Sequence, residues 1–289
     1  MYKIAILGCE NSHANNFLNF IYKDKIITDV EVIGVYSDER ESAEKLNKEF
    51  GVEIADSYDA FVGKVDGIIV TARNGKNHLK YAQPYIASGI PMFIDKPITN
   101  SEEDAVELMK AMKASGVRFS GGSSVALSPT VSELRSVATT ASKGRVLSGH
   151  VRAPLSMNNA YGGFYFYSQH LIETTLEIFG FYPLSVQAFV KGKVVTAIVR
   201  YESYDVVMEF TEGSWKYYAF VSSDGGVSGG EIDISTGGVD ELKIYRGLLS
   251  GGESQKGYRE FIAPVFVMNA INRSIESGNE EAVNPVPEI

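Results

Sequence analysis

Lys96 stands in the stretch Met92–Ser101, MFIDKPITNS, where an apolar run ends in Asp95-Lys96-Pro97 and a helix start follows. Proline fixes its own φ and restricts the residue before it, so the ammonium is held on a rigid mount. A strand that ends at the carboxyl edge of an open α/β sheet faces the crevice where ligands bind. Partial desolvation lowers the pKa of an ammonium there. A neighbouring cation such as an oxidised nicotinamide lowers it further, toward a useful general acid or base. A surface lysine in a turn would show the same three residues, so the rest of the chain has to decide.

The opening segment offers a second group. Tyr2 to Leu7 is an apolar run ending in Gly8, followed by Cys9-Glu10-Asn11-Ser12-His13 and then Ala14 to Lys23, with Phe17, Leu18 and Ile21 on one helical face. Strand, tight turn, helix is where a dinucleotide-binding fold presents backbone amides to a pyrophosphate. Of the G-x-G-x-x-G fingerprint only the first glycine, Gly8, remains, and Glu10 and His13 occupy the other two places. A carboxylate beside a pyrophosphate is electrostatically unfavourable, whereas Asn11, Ser12 and a protonated His13 would add donors. His13 also reads as a helix-start residue with a structural hydrogen bond, and Cys9 as a small buried packing residue.

Two further loops lie on the same edge. Ser37-Asp38-Glu39-Arg40 follows the strand Val30–Tyr36; an acid there would hold the ribose hydroxyls of NAD, and a hydroxyl with a nearby arginine would take the extra phosphate of NADP. Asp38 reads first as the N-cap of the helix Glu39–Phe50. Thr71, Arg73 and Asn74 follow the strand Asp66–Thr71 and are cofactor contacts by position, while His78 in the next helical turn reads as structural.

These groups need a scaffold, and the chain supplies it as repeated strand-helix alternation over its first part. That pattern implies a doubly wound parallel sheet, the Rossmann arrangement, over residues 1–121. From residue 122 to 289 the rhythm changes to α/β with a largely antiparallel sheet. A helix from Pro129 and a strand Arg145–Arg152 come first, followed by an aromatic Tyr161–Tyr167 and a helix around His170–Phe179. Strands are expected at Leu184–Val190, Lys193–Ser203, Asp205–Phe210, Lys216–Val221, Glu231–Ile234 and Leu242–Tyr245, with a closing helix Glu260–Ser277. At 289 residues two domains are expected, and 44% hydrophobic with 22% charged residues is ordinary for a soluble globular protein. A formal net charge of −9 without a basic stripe argues against nucleic acid as partner. The single cysteine, the lack of a secretory signal pattern and the lack of a membrane-length apolar run imply a cytoplasmic protein without membrane attachment.

Gly8, Asp95-Lys96-Pro97, the strand-rich second half, and Gly162-Gly163 followed by His170 and Glu173 together resemble the Gfo/Idh/MocA family, the oxidoreductases related to glucose-fructose oxidoreductase and inositol dehydrogenase. The likeness runs over essentially the whole chain, with Asp95-Lys96-Pro97 matching the family's Glu-Lys-Pro. It implies an amino-terminal domain binding NAD or NADP, with Asp95 and Lys96 among the cofactor contacts. It also implies a second domain that serves the substrate pocket and an oligomer interface, hence a homo-oligomer through the second sheet. In that family the lysine and a helix histidine flank the nicotinamide and assist hydride transfer at a secondary alcohol of a sugar, cyclitol or related polyol. Carried over, Lys96 orients the substrate and His170 is the acid or base. Both are expected to meet across a cleft wide enough for a nicotinamide ring.

The chain departs from the pattern. Phe166 stands where many members carry an aspartate, Ser168 where a glycine is usual, and Glu173 takes a structural role. Tyr161, Tyr165 and Tyr167 would offer hydroxyls or stacking faces to a sugar ring, although packing is the commoner fate of such clusters. A non-redox nucleotide- or sugar-binding regulatory protein is therefore the alternative reading. A metal-assisted lyase or hydrolase using Glu10, His13 and His170 is a third, against which the spacing of Glu10 and His13 matches no recognised metal site.

Overall fold

The computed structural model describes residues 1–288. Its first part runs β1 (Tyr2–Leu7), α1 (Ser12–Leu18), β2 (Val30–Tyr36), α2 (Arg40–Phe50), β3 (Glu53–Ile54), β4 (Gly67–Val70), α3 (His78–Ile86), β5 (Met92–Asp95), α4 (Glu102–Ala114) and β6 (Phe119–Gly122). Neighbouring strands pair in parallel, in the order β3-β2-β1-β4-β5-β6. Strands covered by helices on both faces cannot alternate polar and apolar residues. Accordingly Ile4 to Leu7, Ile68 to Val70 and Met92 to Ile94 are all buried. The order reverses beside β1, between β2 and β4, which places the crevice of a doubly wound sheet at the carboxyl ends of these strands.

The second part contains α5 (Pro129–Thr139), β7 (Val146–Pro154), α6 (Tyr165–Phe179), β8 (Ser185–Lys191), β9 (Val194–Arg200), β10 (Asp205–Thr211), β11 (Tyr218–Ser223), β12 (Gly226–Glu231), α7 (Gly237–Leu249), α8 (Tyr258–Ser277) and β13 (Glu281–Ala282). Its sheet has the order β12-β11-β7-β10-β9-β8-β13, antiparallel except where β7 and β10 run parallel. Every second residue of β9 and β10 is buried, because α5, α6 and α8 cover one face. The other face carries exposed Phe189, Phe220 and Val227. α6 is buried all round from Ser168 to Phe179, polar residues included. A helix enclosed in this way can aim side chains into the interior between the two sheets.

Two expectations are corrected. Leu242–Tyr245 is not a strand but the middle of α7, and the strand expected at Glu231–Ile234 ends at Glu231 instead of beginning there. The buried positions of α7 are Gly237, Glu241, Leu242, Tyr245, Leu248 and Leu249, a spacing of three and four that only a helix satisfies. Its apolar stripe does not join the second sheet's core. Leu242, Tyr245, Leu248 and Leu249 pack with Phe17, Ile69 and Phe93 of the first sheet's layer, each such side chain contributing about 2 kcal/mol by leaving water.

Candidate active site

β5 delivers Asp95 and Lys96 to the crevice. Asp95, completely buried, accepts a hydrogen bond from Asn11 Nδ2 at 2.9 Å and from its neighbour's amide, Lys96 N, at 2.7 Å. His13 Nδ1 lies 3.0 Å from the same carboxylate, a charge contact off the line of a good hydrogen bond. Burial alone would raise the Asp95 pKa, but the charge and contact of His13, with Lys96 behind it, hold it down at about 2. Burial likewise opposes the His13 imidazolium, and Asp95 reverses that and raises its pKa. Asn11 also caps α1, accepting the His13 amide at 3.3 Å. The first loop and the lysine loop are therefore tied through one buried carboxylate.

Lys96, at the cis Lys96–Pro97 peptide, is 3% exposed. Its Nζ lies 4.9 Å from the centre of the Phe166 ring and 5.5 Å from that of Tyr167. Among the described residues no carboxylate comes within ion-pair distance of it. Burial lowers its pKa, partly offset by Asp95 and Glu241.

The remaining loops gather around Glu10. Its carboxylate accepts from Ser37 Oγ at 2.7 Å and from the Arg73 amide at 3.0 Å, joining the ends of β1, β2 and β4. Gly8 permits this convergence: at φ +80° its missing Cβ would lie 2.5 Å from the backbone of Ala72, and its carbonyl accepts from Thr71 Oγ1 at 2.8 Å. Asp38 does not cap α2, a further correction, because Ser37 Oγ takes the Glu39 amide and the Asp38 carboxylate accepts from Tyr36 Oη. Arg40 reaches outward to Asp56. Asn74 accepts from the Lys76 amide and from Asn100 Nδ2. His78 is wholly buried, with ring nitrogens against the carbonyls of Ala72 and Ile98, and serves as a structural tie. Exposed Ser12 donates from Oγ to Asn11 Oδ1 at 3.3 Å.

A cleft of about 740 Å³ opens between this loop cluster and α2, lined by Cys9, Glu10, Asn11, Ser12, Lys45 and Arg73 among others. Its size suits a small-molecule site. Donors from two strand ends offset the charge of Glu10, so the cleft fits the phosphate portion of a dinucleotide better than the bare sequence suggests.

α6 brings the second part of the chain to the same place. His170 Nδ1 lies 2.7 Å from Ser123 Oγ, and its ring centre 4.8 Å from that of Tyr167. Burial, then the nearby charges of Lys96 and His13, push the His170 pKa well down, so the ring is neutral. Lys96 and His170 thus share Tyr167 as a neighbour. The ring of Tyr167 and that of Phe166 cover the ammonium, and exposed Trp215 flanks Tyr167 at 5.6 Å. Tyr161 closes the rim by accepting from Arg73 Nη1 at 2.9 Å. Tyr165 is turned away to Asn269. Glu173 is structural: it accepts from the Ser123 amide and from Gln169, and pairs with Lys256, which also bridges Glu177.

One residue lay beyond the sequence reading. Glu241, from α7, is 3% exposed and its Oε1 has no hydrogen-bond partner among the described residues. Burial, working against the attraction of His13, raises its pKa to about 8. The three-and-four spacing of α7 would have placed it on the buried stripe, and reading that segment as a strand concealed it.

Residues 2–123 match the model of the Gfo/Idh/MocA oxidoreductase family, NAD-binding Rossmann fold. No curated protein matches the sequence. Among solved structures, GenD2 from gentamicin A biosynthesis in complex with NAD is 16% identical with a TM-score of 0.84, over 98% of this chain and 97% of that one. The scyllo-inositol dehydrogenase of Lactobacillus casei with bound NAD(H) and scyllo-inositol is 13% identical with a TM-score of 0.84, over 98% and 99%. The WlbA dehydrogenase of Chromobacterium violaceum in complex with NADH and UDP-GlcNAcA is 16% identical with a TM-score of 0.81, over 99% and 97%. The match over the first sheet and the shared two-sheet fold bear out the resemblance read from the sequence: this chain carries the NAD-binding Rossmann fold of the Gfo/Idh/MocA oxidoreductase family, joined to a second α/β unit arranged as in those dehydrogenases.

Proposed function

We propose that the protein is an NAD(P)-dependent oxidoreductase acting on a secondary alcohol or ketone of a sugar, cyclitol or related polyol. In this reading residues 1–121 bind the nucleotide and residues 122–289 shape the substrate pocket. The observation that carries it is that Lys96, at the carboxyl end of β5 in the parallel sheet, and His170, from α6, both lie against the Tyr167 ring. A bound nicotinamide would supply the hydride acceptor or donor. Lys96 donates to the substrate oxygen and stabilises negative charge developing there. His170, neutral and held at Nδ1 by Ser123, accepts the hydroxyl proton at Nε2, which has no partner among the described residues. Phe166 and Tyr167 cover the ammonium and shield it from water.

Calorimetric titration with NAD(H) and NADP(H), followed by turnover with a panel of sugars and cyclitols, tests this reading. Binding is expected, with turnover that Lys96→Ala reduces by at least about a thousandfold, roughly 4 kcal/mol of lost transition-state stabilisation. The covered ammonium and Glu10 in the phosphate loop favour a second reading, a non-redox binding protein on the same fold. Tight ligand binding with no turnover on any substrate would establish that alternative. We further propose self-association through the open face of the second sheet, where Phe189, Phe220 and Val227 are exposed. Light scattering that gives a monomer at micromolar concentration would exclude it.

A further inference from the structure

A small cavity is bounded by Phe93, Ser120, Glu241, Gln255, Lys256 and Phe261 among others, with a volume of about 30 Å³. That is room for one or two waters. Two of its polar groups, Glu241 Oε1 and Ser120 Oγ, are buried without hydrogen-bond partners. Buried carboxyl oxygens are almost always satisfied, so an unpartnered one facing a small cavity, mostly apolar but with Ser120, Gln255 and Lys256 in its wall, marks a place for a proton or a water. Gln255, which forms part of its wall, is exposed, so the cavity lies close to the surface on that side.

The charges that face Glu241 are identifiable. His13 reaches it from α1, Asp95 and Lys96 from the end of β5, Glu173 from α6, and Lys256 lines the shared cavity from the segment before α8. β6 contributes only the Ser120 hydroxyl, and the turn Ser124–Leu127, which packs on α7, contributes no titratable group. Glu173 is already matched by Lys256. On the crevice side, two groups capable of positive charge, His13 and Lys96, therefore have one committed anion, Asp95. Any further positive charge brought beside Lys96 favours a second anion close by, and Glu241 is the carboxyl placed to provide it.

We propose that Glu241 is the proton-exchanging residue of the nicotinamide pocket: its buried carboxyl is neutral in the free protein and releases its proton into the Ser120–Lys256 cavity when a cationic ring binds beside Lys96. The step breaks the carboxyl O–H bond and passes the proton to cavity water and out past Gln255. No electrons move, and the carboxylate is reprotonated by the same route when the positive charge leaves. Glu241 acts through Lys96 and does not touch substrate, so it is a positioning residue. The inference rests on the oxidoreductase reading, in which oxidised nicotinamide is cationic and reduced nicotinamide is not.

Calorimetry of NAD and NADH binding, in two buffers of different ionisation heat slightly below pH 8, counts the protons exchanged. The native protein should release a substantial fraction of a proton with NAD and markedly less with NADH. Glu241→Gln should abolish that difference, and Glu241→Asp, which restores an ionisable group, should recover part of it. Binding with the same proton count in native protein and Glu241→Gln overturns the inference while leaving the oxidoreductase reading standing. Failure of both dinucleotides to bind overturns that reading and the coupling with it. Infrared difference spectra between ligand-free native protein and Glu241→Gln add a check independent of any ligand: a carboxylic-acid carbonyl band is expected at neutral pH, and its absence overturns the inference.

Discussion

Replacing Glu241 with glutamine should alter stability by an amount that depends on pH in a calculable way. Burial holds this carboxyl at a pKa of about 8, against 4.5 in the unfolded chain, with Asp95 and Glu173 reinforcing burial and His13 and Lys96 opposing it. Between those values the native state keeps a proton that the unfolded chain has lost. The stabilising contribution is therefore complete below 4.5 and is lost as pH rises through 8. At about 1.4 kcal/mol per pH unit the whole loss is roughly 5 kcal/mol, of which about 4 falls between pH 5 and pH 9. Glutamine keeps the shape and cannot ionise, so whatever its amide costs in the cavity is the same at every pH. Urea unfolding of both proteins near pH 5, 7 and 9 should show the variant gaining about 4 kcal/mol on the native protein from the acidic to the alkaline end. A difference that stays constant within about 0.5 kcal/mol across that range would refute the argument.

Lys256→Met should destabilise the protein by about 3–5 kcal/mol in urea melts, because it leaves Glu173 and Glu177 without the ammonium that now lies 2.6 and 2.7 Å from them. Gly8→Ala should cost at least about 2 kcal/mol and weaken dinucleotide binding in calorimetry, since a Cβ there would force the β1 and β4 loops apart. His78 and His170 are both buried with lowered pKa values, so the stability they contribute is present above pH 6.5 and is lost as pH falls from there through their lower folded values. His78→Gln should accordingly make the acid limb of the stability profile shallower, which thermal melts between about pH 7 and 5 would detect.

The parallel sheet was legible because its strands are buried on both faces and read as unbroken apolar runs, Ile68–Val70 and Met92–Ile94 being the clearest. Lys96 was legible because the proline after it marks a fixed turn. What Asp95 does was not: its partners Asn11 and His13 lie far off in sequence, and no local pattern announces a carboxylate held from another loop. Glu10 is a similar case, since the sequence shows an acid in a phosphate loop but not the Ser37 and Arg73 donors that offset it. Asp38 accepts from Tyr36 Oη instead of capping, and α2 starts after Glu39 without a side-chain cap, an outcome that composition cannot decide. In α7 the short alternation Leu242-Lys243-Ile244-Tyr245 imitates a strand, and only the wider spacing through Leu249 shows the helix.

The return of α7 to the first sheet has a consequence for biosynthesis. Phe17, Ile69 and Phe93 leave the ribosome long before Leu242 and Tyr245, the residues that shield them. During translation the nascent amino-terminal half therefore waits with a greasy flank uncovered, a state in which chaperone engagement or aggregation competes with folding. The layer is completed only after residues 237–249 have been made and α7 can dock.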